Sequence, residues 1–439
     1  MGTIYPFSRP PLLAGSDELA ELLAKITFTT PFFPVIWRYQ VNFYQKDVSL
    51  DTNILRLFSP AKQSYFLFGP RGTGKSTWLK THYPDGHFID LLNPSELRHF
   101  QARPERLEEV VQATDSKTII LDEIQKIPEI LTVVHRLIEQ KQGWQFVLTG
   151  SSARKLKRAG VDLLAGRAVV RYMHPFMAAE LGDDFSLESA LNVGLVPLIV
   201  ESDDIVDTLK AYVGIYLNEE VKAEGLVRSM GDFSRFLEVA SFSHASLLNV
   251  SNIARECAVS RKLIEGYLSI LKDLLLSYHL PVFTKRAKRQ LIAHEKFYYF
   301  DAGIYRSLRM TGFLDKPSEI NGPGLEGLVL QHLRAWNDYQ GSPNRLYYWR
   351  TKHGVEVDFI IDGPAGLYAI EVKHATNVYE KDLSGLQSFC NDYPEATPLF
   401  LYGGQERLKM KNILCLPIQA FLRTLTPIPS GKIVVKQDS

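Results

Sequence analysis

Three cysteines, Cys257, Cys390 and Cys415, are all that 439 residues contain. They are too few and too scattered for a disulfide framework or a zinc-ligand spacing, and a reducing cytoplasm fits best. No apolar run approaches the length that spans a bilayer. The opening "MGTIYPFSRPPLLAGSDEL" lacks a basic segment followed by an apolar core, so neither secretion nor membrane anchoring is expected. Charge of one sign is also missing. The net value of +1 excludes global steering toward nucleic acid and leaves such contact to local patches. What is present is 45% hydrophobic and 23% charged residues, a globular composition in a chain long enough for about two to four domains.

The most specific signal is "SYFLFGPRGTGKSTWLK", an apolar strand Tyr65 to Phe68, a Gly-rich turn and a helix starting near Lys75. This is the context that a P-loop requires. In the run Gly69, Pro70, Arg71, Gly72, Thr73, Gly74, Lys75, Ser76 and Thr77, the glycines Gly69 and Gly74 let backbone amides approach a triphosphate. Lys75 is expected to reach the β- and γ-phosphates and Ser76 to ligate Mg²⁺, so ATP and Mg²⁺ are the expected cofactors. In "KTIILDEIQKIPEIL" the buried strand Thr118 to Leu121 delivers Asp122, to hold Mg²⁺ through water, and Glu123, to orient or deprotonate the attacking water. A third strand, "WQFVLTGSS", ends in Thr149, Ser151 and Ser152. Thr149 is the preferred sensor of the γ-phosphate or the water. Downstream, Arg167 or Arg171 could stabilise transition-state charge.

"FGPRGTGKST", "LDEIQKIPEIL", "LTGSS" and "LAGR" together resemble the prokaryotic AAA-type ATPases, related to the archaeal ATPase group, that carry a C-terminal domain of uncharacterised function. The resemblance runs from about Arg56 to Leu425. It implies that Lys75, Ser76, Asp122, Glu123 and Arg167 carry ATP binding and hydrolysis. The aromatic stretch "ITFTTPFFPVIWRYQVNFYQ" departs from the short lead-in of that family and reads as a packing arm within residues 1–55.

From Ser186 to Leu248 the pattern is helical and amphipathic and reads as a lid on the ATPase. Two short helices, Asn252 to Ala258 and Arg261 to Leu275, then flank a turn at Val259 and Ser260, which is helix-turn-helix spacing. Ser260 is the expected N-cap, placing Arg261 and Lys262 where recognition helices meet bases and phosphates. The next segment reads strand, basic turn, strand, a wing with Lys285, Arg286, Lys288 and Arg289 at its tip. Such a tip could contact DNA phosphates, or be a solvated turn on a packing module.

"PSEINGPG", Pro317 to Gly324, reads as a turn-rich linker and domain boundary, followed by a helix with Glu326 in its first turn. In "GVEVDFIIDGPAGLYAIEVKHA" strict alternation puts Val355, Val357, Phe359 and Ile361 on one face and Glu356, Asp358 and Ile360 on the other. A four-residue GPAG loop pairs Asp362 with Leu367, which sets Asp358 opposite Glu371 and Glu356 opposite Lys373. Two carboxylates so placed, with Lys373 nearby, suit metal-assisted phosphodiester hydrolysis. The arrangement resembles the PD-(D/E)xK nuclease superfamily, which implies that Glu326 on the preceding helix completes a metal site with Asp358 and Glu371, and that Lys373 is catalytic. The bland alternative is a hairpin with a Glu356–Lys373 cross-strand pair.

The expected fold is α/β: an arm (1–55), a parallel-sheet P-loop ATPase core (56–185), a helical lid (186–248), a winged helix (249–316) and a nuclease-like α/β domain (317–439). Two functions follow. One is an ATPase coupled to a DNA-associated, metal-dependent nuclease-like domain. The other is a nucleotide-gated DNA- or protein-binding switch with an inactive C-terminal scaffold. A motor reading additionally needs a homo-oligomer in which Arg167 reaches a neighbour's nucleotide.

Overall fold

The computed structural model describes residues 54–151, 156, 164–223, 227, 229–285, 294–310, 312, 315–428 and 432–433. All but the last two residues of the aromatic arm lie outside this set. Three short buried segments and two half-buried ones build the first layer: β1 (Tyr65–Phe68), β2 (His87–Asp90), β3 (Thr118–Asp122), β4 (Gln145–Gly150) and β5 (Val169–Tyr172), with β2 and β5 the half-buried pair. They form an all-parallel sheet in the order β2-β3-β4-β1-β5. Parallel strands are covered on both faces, and the alternation of β1 shows how. Phe66 and Phe68 join Leu121, Leu148 and the helix Ile130–Glu139 in one core. Tyr65 and Leu67 point the other way, into a core that runs on through the helix Pro317–Tyr339 to the C-terminal sheet.

Short helices between Ala178 and Ser241 form a second core around Tyr212, Phe233 and Phe236. They are followed by β6 (Ser246–Leu247), helices Val250–Cys257 and Arg261–Asp273, β7 (Ser277–Leu280) and β8 (Lys296–Tyr299). The three strands pair antiparallel in the order β6-β8-β7. Ser260 caps the second helix, its side chain accepting from the Leu263 amide at 3.3 Å.

The C-terminal sheet consists of β9 (Arg345–Arg350), β10 (Glu356–Gly363), β11 (Gly366–Lys373), β12 (Ala396–Tyr402), β13 (Leu408–Met410) and β14 (Ile413–Pro417), in the order β13-β14-β12-β11-β10-β9. One face packs on the helix Pro317–Tyr339 and the other on the helix Ser384–Asp392. Among the described residues no helix is long and apolar enough to cross a membrane.

Three sequence expectations change here. Pro317 to Gly324 is not a turn-rich linker but the first two turns of the 23-residue helix Pro317–Tyr339. Pro317 stands at its first position, where a missing N–H is harmless. Gly324 packs beside Tyr305, where a Cβ would lie 3.4 Å from the ring, while a Cβ on Gly322 would meet nothing within 4 Å. Strict alternation in β10 also fails. The pairing with β9 shifts between Val357 and Ile360, so these two residues share a core while Phe359 and Ile361 face the other. Finally, the segment after β7 is not a free hairpin arm. Phe283 donates to the Tyr348 carbonyl at 2.7 Å and Tyr348 donates to the Pro281 carbonyl at 3.0 Å, which ties Pro281–Phe283 to the outer side of β9.

Candidate functional site

The glycine-rich turn expected to bind phosphate leaves the carboxyl end of β1. Gly72 and Gly74 have φ of 79° and 83°, a left-handed backbone that favours glycine, and Gly74 caps the helix Lys75–His82. A Cβ on Gly69 would lie 2.4 Å from the Met173 carbonyl oxygen, so the turn can pass the end of β5 only without one. Lys75 folds onto the loop, its ammonium donating to the carbonyls of Gly69 (2.7 Å) and Pro70 (3.1 Å). Burial lowers its pKa, against the opposing charges of Glu123 and Asp122. Thr73 Oγ1 donates back to Pro70 O at 2.8 Å, and Thr77 lines a cleft with Gly74 and Trp78.

Neighbouring strands in the parallel sheet bring the next residues to the same edge. Ser76 Oγ donates to Asp122 Oδ2 at 2.6 Å. Thr149 Oγ1 donates to Asp122 Oδ1 and accepts from the Glu123 amide at 3.2 Å. This hydroxyl–carboxylate pair is a donor set suited to Mg²⁺ at a helix start. Glu123 has φ of 61°, a left-handed conformation that costs a non-glycine residue energy. Burial raises its pKa, while Lys75 lowers it.

Two residues at this site carry no motif signal. Gln125, in the 3₁₀ turn after β3, donates to Glu123 Oε2 and also contacts Ser151 Oγ at 3.4 Å. Arg56, before β1, is buried and makes four hydrogen bonds. They reach Thr73 O (2.9 Å), His174 O (2.7 Å), Tyr339 Oη (3.0 Å) and Glu180 Oε1 (3.1 Å). An arginine interrupting the apolar "NILRLF" is the signal that could have found it. The middle region closes over the loop, with Leu198 N donating to Gly72 O at 3.1 Å and Tyr212 Oη to Arg71 O at 2.8 Å. The Arg71 guanidinium lies 3.7 Å from Glu220 and over the Tyr216 ring.

Arg167 is elsewhere. It pairs with Glu139 at the end of the helix Ile130–Glu139 and precedes β5, whose first residue aligns with the first of β1. It therefore stands at the amino edge of the sheet, and the phosphate turn leaves the carboxyl edge. Arg171 lies within β5 and bonds its neighbour's carbonyl. Ser152 is outside the described residues.

A second cluster forms where the middle region meets the C-terminal sheet. The β10–β11 ladder pairs Asp362 with Leu367 and ends at Gly363–Gly366. Extended past Phe359–Ile370, this register brings Asp358 beside Glu371. Both are buried. Asp358 Oδ2 accepts from the Val372 amide at 2.9 Å, and Glu371 Oε1 pairs with Lys373 at 3.0 Å. The cross-strand pair Glu356–Lys373 does not form. Glu356 pairs instead with Arg350 (2.9 Å) and with Lys296.

Lys296 is the unforeseen member. Only 2% of its side chain is exposed, and its ammonium contacts Glu326 Oε1 (2.8 Å), Glu356 Oε1 and Asp358 Oδ1 (3.6 Å). Tyr298 Oη donates to the same Glu326 oxygen at 2.5 Å. Burial opposes the Lys296 charge, but Glu326, Tyr298, Asp358 and Glu356 outweigh it and hold its pKa well above the usual lysine value. Burial pushes Glu326 up to about 7, and Asp358 adds to this while Lys296 opposes it. Burial, then the Asp358 charge, lifts Glu371 well above the usual carboxylate range. The signal was present in "EKFYYF", a lysine inside an otherwise aromatic strand.

The three expected metal ligands do not fit a metal as they stand. Both Asp358 oxygens face internal donors, Glu326 is bonded to Lys296 and Tyr298, and Glu371 keeps one uncommitted oxygen. Among the described residues no group of three or more His, Cys, Asp or Glu side chains is arranged to hold a metal ion. Of the expected nucleic-acid contacts, Arg261 pairs with Glu265 at 2.9 Å, Lys262 is exposed, and Lys285 pairs with Asp362 of the C-terminal hairpin. Arg286, Lys288 and Arg289 lie outside the described residues.

A family model described as an AAA domain matches residues 61–182. Two models described as domains of unknown function, DUF8612 and DUF4143, match residues 184–315 and 321–421. Uncharacterized proteins of Mycobacterium bovis and Mycobacterium tuberculosis are each 26% identical over 372 residues, covering 82% of this chain and 80% of their own. The crystal structure of protein VC1899 from Vibrio cholerae is 12% identical and covers 78% of this chain and 96% of its own, with a TM-score of 0.19, too low to argue from. The chain thus carries an AAA-type domain of the P-loop ATPase class, joined to two regions whose families have no assigned function.

Proposed function

We propose that the chain is an ATP-hydrolysing switch in which nucleotide occupancy reorganises the middle region and the C-terminal domain serves as a catalytically inactive scaffold. The carrying observation is the unbroken chain Ser76–Asp122–Thr149–Glu123 beside a buried Lys75. Lys75, now held by two loop carbonyls, exchanges them for phosphate oxygens when ATP enters. Mg²⁺ held through Ser76 and Asp122 supplies charge neutralisation at the phosphates. Glu123 orients the attacking water, and Thr149 fixes Glu123 to Asp122. The cleft of about 180 Å³ beside Gly74 and Trp78 is the space for the nucleoside. Leu198 and Tyr212 sit on the loop backbone, so a triphosphate beneath them is felt by the middle helices first.

The scaffold half of this reading rests on Glu326, Glu356 and Asp358 being held by Lys296, with Asp358 also taken by the Val372 amide. The unit from β6 to β8 has the strand–helix–helix–strand–strand order of a winged helix, and Arg261 and Lys262 open its second helix, which supports DNA as the partner. Purified protein should hydrolyse ATP. Lys75→Ala should abolish binding and turnover, whereas Glu123→Gln should keep nucleotide binding and lower turnover by about 10²- to 10⁴-fold. Retained turnover in Glu123→Gln would sink the assignment.

The Asp358–Glu371–Lys373 register favours a second reading, an ATPase coupled to a metal-dependent nuclease. Cleavage of single- or double-stranded DNA with Mg²⁺ or Mn²⁺, lost in Asp358→Asn and Lys373→Ala, would decide for it. Arg167, at the amino edge of the sheet, has a part in hydrolysis only toward a neighbouring copy. An ATP-bound monomer in light scattering would remove that part.

A further inference from the structure

The cluster around Lys296 is built as a cation site. Glu326 comes from the helix Pro317–Tyr339, Glu356 and Asp358 from β10, and Glu371 from β11. Three cations answer these four carboxylates, namely Lys296, Lys373 and Arg350. Arg350 approaches from the rim and Lys373 reaches only Glu371, so the centre belongs to Lys296. Its ammonium is nearly excluded from solvent and touches three separate carboxylates, with Tyr298 donating to one of them. Converging carboxylate oxygens of that number are the ligand chemistry of a hard divalent cation. One carboxylate would balance the charge of a buried ammonium, and here three carboxylates face a single positive charge. The neighbouring Glu371, which Lys296 does not reach, is left with one acceptor that the single ammonium does not satisfy. Glu371 Oε2 is buried and has no hydrogen-bond partner.

We propose that Glu326, Glu356 and Asp358 form a divalent-cation pocket whose cation is replaced by the Lys296 ammonium, so that the intact protein takes up no Mg²⁺ or Mn²⁺ there. This inference rests on the inactive-scaffold reading and sharpens it. The lysine comes from the region 184–315 and the carboxylates from the region after residue 317, so one buried ammonium both fills the pocket and clamps two regions together. An ammonium offers three donors and a single charge. It satisfies the oxygens but cannot polarise a phosphodiester as a divalent ion would.

The test uses the full chain without nucleotide and Mn²⁺ as the probe, read by calorimetry and by thermal unfolding. Wild type should show no Mn²⁺ binding that Asp358→Asn removes. Lys296→Ala leaves the buried Asp358 and the half-buried Glu326 without their ammonium, and Glu356 with Arg350 alone, and should melt lower; millimolar MnCl₂ should then raise its melting temperature by about 5 °C or more. Lys296→Ala/Asp358→Asn should lose that gain. Wild-type binding of Mn²⁺ that depends on Asp358 would overturn the proposal. So would a Lys296→Ala protein that gains no stability from Mn²⁺, whether folded or not. DNA cleavage by wild type is a separate assay, so failure of the scaffold reading and failure of the lysine substitution are distinguishable.

Discussion

Asp301 shows how much a single buried carboxylate does. Its Oδ1 caps the helix Ala302–Leu308 by accepting from Gly303 N (2.9 Å) and Ile304 N (3.2 Å), while Oδ2 accepts from Leu195 N at 2.8 Å, across more than a hundred residues. Burial outweighs these amides and pushes its pKa up to about 6. A carboxyl whose folded pKa lies above its unfolded one binds more protons when folded. Its contribution is therefore complete below about pH 4 and is lost as pH rises through about 6. Asp301→Asn should be less stable than wild type throughout, with a deficit that narrows by about 2 to 3 kcal/mol from pH 4 to pH 7. Denaturation midpoints of both proteins across that range check the sign; parallel curves would refute it.

At the scale of elements the long helix Pro317–Tyr339 carries the most. Gly327 sits against His244, and a Cβ there would lie 2.3 Å from Nε2. His244 cannot step aside freely, because its Nδ1 accepts from Tyr299 N at 3.1 Å and its ring stacks on Tyr305 at 4.0 Å. Burial pushes its pKa down to about 3, so it is neutral. Gly327→Ala gains about 1 kcal/mol in helix propensity and loses about 1 to 3 in overpacking. Net destabilisation is the expected outcome, read as a lower melting temperature. The same helix explains a misreading. Glycine and proline density over Pro317 to Gly324 reads locally as a turn, but tertiary contacts with Tyr305 and His244 decide in favour of helix. The phosphate turn was readable for the opposite reason, since its residues are contiguous and the strand, turn and helix have to occur in that order. Lys296 was not, because its three carboxylates arrive from a helix and a strand 30 to 62 positions later in the chain, and no spacing announces them.

At the scale of the whole molecule the two candidate sites share one support. Tyr339, at the end of the long helix, accepts from Arg56, which also holds Thr73 O of the phosphate turn. Glu326, 13 residues earlier on that helix, bonds Lys296. At 1.5 Å per residue this is about 20 Å of continuous helix between the two. The covering of β9 has a different consequence. β9 is the outermost strand of its sheet, and Pro281–Phe283 from the middle region occupies its outer side. Any event that lifts the middle region away lays bare a row of unpaired amides and carbonyls, a template for another chain. Phe283 anchors that cover in the core beside Trp349 and Phe389. Phe283→Asp should therefore aggregate on mild heating, measured by light scattering, well before the sheet itself melts. Holding its regions together is, for this chain, also what keeps that edge covered.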